Sequence, residues 1–147
     1  MRTIVTIPLA VLTLLVLLAC KSMILGPKFP VEDLSKFDVV VVAKVDRAVH
    51  STTDRYHGLQ SFDLTVLKCL KGRFDIGDHL SGKSQKEEAR AVCPVHLTEG
   101  SDYLLLLTKS IQGYQLSRFS FTVEKGYTYF DDYIDQIEKS LQTDLGR

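Results

Sequence analysis

The chain opens on an apolar run that begins at Ile4, behind the single basic residue Arg2, and closes on Leu17-Leu18-Ala19-Cys20. At about 16 residues it is shorter than the roughly 20 that cross a bilayer comfortably. A basic start, an apolar stretch and a small closing residue are the parts of a secretory signal peptide. The next stretch, from Lys21 to Pro30, holds two of the four prolines and neither a helical nor an alternating period, which predicts a tether. Val31 to Phe37 predicts a short helix, because Pro30 is tolerated in a first turn and Glu32 and Asp33 favour its positive start. Asp38-Val-Val-Val-Val-Ala-Lys-Val45 is a nearly continuous β-branched run, which predicts a core strand buried on both faces.

From Asp46 to Gln60 the chain turns polar, as a long connection between strands would. Ser61 to Lys68 then alternates, with Phe62, Leu64 and Val66 on one face and Asp63 and Thr65 on the other, and breaks at Lys71-Gly72. This is a half-buried strand. Asp75-Ile-Gly-Asp78 predicts a turn into a brief strand around His79-Leu80, and Gly82 to Arg90 a charged loop. Tyr103-Leu-Leu-Leu-Leu-Thr108, entered from Glu99-Gly-Ser-Asp102, is the second central strand. Gly113 marks a tight turn serving short strands around Tyr114–Leu116 and Phe119–Val123, expected to form an antiparallel hairpin. In the C-terminal segment Thr128 and Asp131 have capping-box spacing. Phe130, Ile134, Ile137 and Leu141 fall on one helical face, with Asp135 and Lys139 on the wet side.

Five or six short strands and a closing helix predict a mainly β fold, a small antiparallel barrel of the OB type with a C-terminal α-helix, preceded by a signal peptide. The expected organisation is a signal peptide over 1–19, a tether over 20–30 and one domain over 31–147. Losing Arg2 with the signal leaves 17 basic against 18 acidic residues, a net charge of about −1. Such a balance suggests neither nucleic acid nor an anionic membrane face as a partner.

A cysteine directly after the small residue Ala19 resembles the lipobox of bacterial lipoproteins. The resemblance implies that the Cys20 thiol receives a diacylglycerol, that the signal is cut off and that the new amino terminus is acylated; a signal cut by an ordinary peptidase, with Cys20 merely the next residue, and an uncleaved anchor are the alternatives. Two or three acyl chains make a durable anchor, since each buried methylene contributes about 0.8 kcal/mol. Lys21, where other lipoproteins carry Asp, implies sorting to the outer membrane with the domain facing the periplasm. Committing Cys20 to lipid leaves an even pair, Cys69 and Cys93. The expected reading is a structural disulfide, stabilising by about 3 kcal/mol in an oxidising compartment; two buried free thiols are the alternative.

The runs Asp38 to Val45, Phe62-Asp-Leu-Thr-Val-Leu-Lys-Cys-Leu-Lys-Gly72 and Cys93-Pro-Val-His-Leu-Thr-Glu-Gly-Ser-Asp-Tyr-Leu-Leu-Leu-Leu107 resemble the netrin module, the TIMP-like barrel of tissue inhibitors of metalloproteinases. The resemblance spans roughly Phe37 to Val123. Inhibitors of that family chelate a protease's zinc through the free amine and carbonyl of an N-terminal cysteine in a disulfide-held Cys-x-Cys start. This chain has Cys20-Lys21-Ser22 there, so the second cysteine is missing, and an acylated Cys20 nitrogen cannot coordinate a metal.

Four histidines suggest a metal site at most through His50 with His57, or Cys93 with His96. None has the one-face helical spacing of a zinc hydrolase, and solvated histidines are the expected reading. No catalytic residue, metal or cofactor is expected; Ser84 and Ser101 read as loop residues. Tyr114, Phe119, Phe121, Tyr127, Tyr129 and Phe130 cluster late in the chain, as a binding groove or, by the stronger reading, as rings filling a barrel and stacking under a helix. The expected function is a lipid-anchored cell-envelope protein, a non-catalytic interaction or accessory module with an envelope protein as partner. The alternatives are an inhibitor-like protein acting through a loop and, third, an enzyme.

Overall fold

The structure, a computed structural model, describes residues 26–31, 33–50, 60–84, 96–116 and 122–145 of the 147. Residues 1–19, where a signal peptide is expected, Cys20 and Cys93 lie outside them. The β-branched run becomes the first half of β1 (Val39–His50), which pairs antiparallel with β2 (Gln60–Lys71) along one edge and with β4 (Asp102–Ser110) along the other. β3 (His79–Ser84) continues from β2, and β5 (Gly113–Leu116) lies between β3 and β4. The order β1-β2-β3-β5-β4 returns to β1, closing a five-stranded barrel of the OB type. All its joints are antiparallel except β3 with β5, which run parallel.

Both central strands are buried on both faces for a simple reason: one face fills the barrel and the other lies under the helix. Val39, Val41, Ala43 and Val45 of β1 point into the barrel with Phe62, Leu64, Val66, Leu105 and Leu107. Val40 and Val42, with Leu104 and Leu106, meet the helix α1 (Phe130–Leu145) through Phe130, Tyr133, Ile134 and Ile137. Each such valine, leucine, isoleucine or phenylalanine, fully buried, stabilises by about 1.5–3 kcal/mol before chain entropy opposes it. Asp135 and Lys139 face water as expected.

Several sequence expectations are corrected. The short helix from Val31 shrinks to a single 3-10 turn over Leu34–Lys36, with the Asp33 carboxylate accepting from the Ser35 amide at 3.0 Å. β1 runs five residues past Val45 and β2 starts at Gln60, so residues 46–50 and Gln60 of the expected connection are strand, while 51–59 lie outside the described residues; the far half of β1 is largely exposed, whereas β2 opposite it also pairs with β3 and keeps Gln60 and Phe62 buried. β3 extends through Gly82 to Ser84 instead of ending in a loop at Gly82. α1 starts at Phe130, which places Tyr129 rather than Thr128 at its cap.

The late hairpin is also corrected. β5 and β6 (Thr122–Glu124) do not pair with each other; both pair antiparallel with β4. Thr108 faces Gln115 and Leu105 faces Thr122, so three steps along β4 match seven along the other chain. The two strands thus follow one line beside β4 with four extra residues between them. Nor do residues 26–30 form a free tether: they are held against α1. The Phe29 amide donates to Gln136 Oε1 at 2.8 Å, Gln136 Nε2 donates to the Pro27 carbonyl at 2.8 Å, and the Tyr133 hydroxyl donates to the Gly26 carbonyl.

Candidate interaction surface

The titratable groups singled out in the sequence are scattered. His50 ends β1 and His96 precedes Leu97; both are exposed, with ring centroids 5.1 Å apart. The structure brings these two together, whereas the sequence coupled His50 to His57 and Cys93 to His96; His57 and Cys93 lie outside the described residues. Among the described residues, no group of three or more His, Cys, Asp or Glu side chains is placed to share a metal ion. Cys69 is half-buried on β2 against the barrel core, with a free thiol. Ser84 is buried at the end of β3, and Ser101 is half-buried before β4.

On the outer face of β1, β2 and β3 the Thr65 hydroxyl lies 2.6 Å from Asp46 Oδ2 and 3.1 Å from His79 Nδ1. This has the residue types of a nucleophile, base and orienting acid but not their polarity. A carboxylate only accepts, so the single hydroxyl proton goes to Asp46, and His79 Nδ1 must be the donor to Thr65. The ring therefore cannot take a proton from that hydroxyl. Beside it, Asp63 accepts from Ser81 Oγ at 2.7 Å and Arg47 Nε at 2.6 Å, and these two contacts hold its carboxyl below the ordinary value. Asp33 is lowered by Ser35, while burial, with Tyr127 and Tyr129 nearby, raises Tyr133. The three displaced groups sit on different elements and converge on no common point.

The surface that does converge lies at the barrel end where β1 begins. Gly72 leaves β2 with φ +121°, a backbone that favours glycine, and its missing side chain lets the Phe74 ring approach within 3.3 Å of where a Cβ would stand. Phe74 is thereby folded over the barrel mouth and meets Tyr114 of β5 edge-on, 5.8 Å between centroids. Asp38 Oδ2 accepts from the Lys109 amide at 2.6 Å, fixing the end of β4 beside the start of β1. Together with Arg73 these residues line an open hollow of about 350 Å³. Arg73 and Lys109 are exposed, and neither forms an ion pair among the described residues. Asp75 and Asp78 share the β2–β3 turn, where the Asp78 carboxylate accepts from the Asp75 amide at 2.8 Å.

The β2–β3 turn and the β4–β5 turn each carry an exposed isoleucine: Ile76 is 79% exposed and Ile111 105%. Isolated apolar side chains on a surface need no explanation, but aromatic rings, isoleucines and unpaired cations gathered on one end suit the centre of a protein contact. Sequence reasoning found only Tyr114 here. The rest comes from three segments far apart in the chain, and the one local signal is an aromatic two residues after Lys71-Gly72. Of the other late aromatics, Phe130 is core, Tyr127 and Tyr129 are half-buried at the start of α1, and Phe119 and Phe121 lie outside the described residues.

No protein-family model matches the chain, and no curated protein matches it.

Proposed function

We propose that this protein is a lipid-anchored, non-catalytic module of the bacterial cell envelope that binds another envelope protein through the barrel end formed by Arg73, Phe74, Ile76, Lys109, Ile111 and Tyr114. The observation that carries the reading is the Phe74–Tyr114 pair over a hollow edged by Arg73 and Lys109, which form no ion pair among the described residues, with exposed isoleucines in the turns that follow Phe74 and Lys109 in sequence. The anchor is Cys20, at the end of the apolar run, with sorting to the outer membrane. Cys69, whose thiol is free in this structure, pairs in this reading with Cys93 once the chain reaches the oxidising envelope. The netrin-like likeness extends in this reading to the barrel and its terminal helix, and not to zinc chelation, because Ser22 replaces the second cysteine and the Cys20 amine is acylated.

A photo-crosslinking residue at Ile111 in intact cells tests the contact. It should trap one envelope protein, and Ile76→Asp should reduce that adduct; crosslinking that is equal from Ile111 and from Lys44, on the opposite part of β1, would overturn the assigned surface. Mass spectrometry of protein from membranes should find a terminus at Cys20 carrying acyl chains, and Cys20→Ser should leave the precursor uncut. An unmodified Cys20 thiol would remove the anchor. Alkylation of the denatured, unreduced protein should leave Cys69 and Cys93 unlabelled; labelling of both would remove the bridge.

A further inference from the structure

We infer that Tyr127 and Tyr129 rest in the headgroup region of the leaflet that holds the acyl chains on Cys20, so that the domain has a fixed orientation on the membrane with its barrel-end groove turned away. This rests on the proposed lipid at Cys20. The argument begins with chain length. Gly26 is fixed to α1 through the Tyr133 hydroxyl, and Gln136 fixes Pro27 and Phe29 beside it. From Gly26 back to Cys20 is six residues, which span at most about 20 Å fully extended. A domain of this size is about 35 Å across. The link is shorter than the domain is wide, so the face far from Gly26 cannot reach the bilayer and the half of the domain that carries Gly26 is the half turned toward it.

The surface at that place has the chemistry of a membrane–water boundary. Tyr127 and Tyr129 are half-buried with ring centroids 6.0 Å apart, and each is 6.3 Å from Tyr133, whose ring in turn lies 5.5 Å from Phe29. Rings with one wet, polar tip concentrate at bilayer interfaces, where the body is desolvated and the hydroxyl stays hydrated. Charge does not compete for the assignment: Lys28 and Lys125 are offset by Glu124, Asp131 and Asp132 in the same region, so ring burial rather than attraction to anionic headgroups makes the contact. Lys125 reaches Asp102 at the start of β4 (3.2 Å), whereas Lys109 lies near its end, seven residues or about 23 Å further on. The aromatic collar and the groove thus occupy opposite ends of β4, as an anchored module that presents its groove to the periplasm requires.

The chain contains no tryptophan, so one introduced ring reports its own surroundings. The lipidated protein, purified from membranes, would carry Tyr129→Trp, or Tyr127→Trp as a second collar position, or Ile111→Trp at the groove end. Each is placed in phosphatidylcholine vesicles with brominated acyl chains. Emission from the collar positions should shift to the blue and be quenched, and emission from position 111 should do neither. Protein that sediments with the vesicles while both collar positions stay unquenched would overturn the collar and leave the anchor standing. Equal quenching at 111 and 129 would overturn the orientation. Protein that lacks acyl mass and does not sediment with vesicles would overturn the anchor, and the collar with it.

Discussion

Gln60 grips the backbone of Leu97 with both ends of its amide, donating from Nε2 to the carbonyl at 2.8 Å and accepting from the amide at 2.9 Å. The side chain is 2% exposed, so it acts as a strand partner for a segment that joins no strand, and it ties the start of β2 to the chain entering β4. Gln60→Leu keeps the volume but leaves a buried amide and carbonyl unpaired, each at about 1–3 kcal/mol. We expect a loss of about 2–4 kcal/mol, read as a lower urea midpoint with an unchanged slope. A midpoint equal to the parent's would mean that water replaces the amide there.

Gly82 of β3 is a second place where one side chain decides the packing. A Cβ there would stand 2.1 Å from the Tyr114 carbonyl oxygen and 2.6 Å from the Phe62 ring. Its obstacle is backbone, pinned by the parallel pairing of Gly82 with Tyr114, and cannot rotate aside. Gly82→Ala should therefore cost about 3 kcal/mol, at the upper end for overpacking, and open the β3–β5 joint. Gly77, at φ +95° with no atom near the added carbon, should lose only about 1 kcal/mol as alanine. Thermal melts of the two variants compare a steric with a conformational loss.

The legible parts of this fold are those whose pattern and packing are local to one element. Val39 to Val45 and Tyr103 to Leu107 carry apolar side chains on both faces, and both faces are buried, one in the barrel and one under the helix. The spacing of Phe130, Ile134 and Ile137 likewise marks the buried stripe of α1, though not Tyr133, whose phenol is spent on Gly26. Legibility fails where partners are distant. Arg47 and Asp63 read as loop and strand although they face each other in one ladder, because β1 beyond Val45 is exposed apart from the half-buried Ala48 and so has no apolar period to follow. The pairing of β6 with β4 instead of β5 depends on four extra residues that no local pattern displays. The groove was illegible for the same reason: Asp38, Phe74 and Lys109 become neighbours only when the barrel closes.

Asp63 predicts an acid-dependent step. Ser81 and Arg47 hold its carboxyl below the ordinary Asp value, so its contribution is present above that value and is lost as pH falls through the lower, folded one. The site is about one-third exposed, which limits the contribution to about 1 kcal/mol or less. Asp63→Asn should lower stability by that much at neutral pH, and the gap to the parent should close below about pH 4. Urea midpoints across that range would show it; a gap that persists in acid would assign the loss to packing rather than charge.

Tyr133 predicts the opposite limb. Burial, with Tyr127 and Tyr129 beside it, raises its phenol above the ordinary tyrosine value, so the folded state holds this proton more tightly than the unfolded chain does. The associated stability is complete below about pH 10 and is lost as pH climbs through the folded value. Tyr133→Phe gives up the hydroxyl that donates to the Gly26 carbonyl, which should cost about 1 kcal/mol at neutral pH. The phenylalanine ring has no proton to lose, so the gap between parent and variant should narrow as pH rises through the folded value. Urea midpoints measured from about pH 7 upward through the alkaline range follow that change. Limited proteolysis at neutral pH gives an independent reading: if Tyr133 fixes the start of the domain, the variant should be cut within residues 26–30 sooner than the parent, and equal rates would mean that Gln136 alone holds that segment to α1.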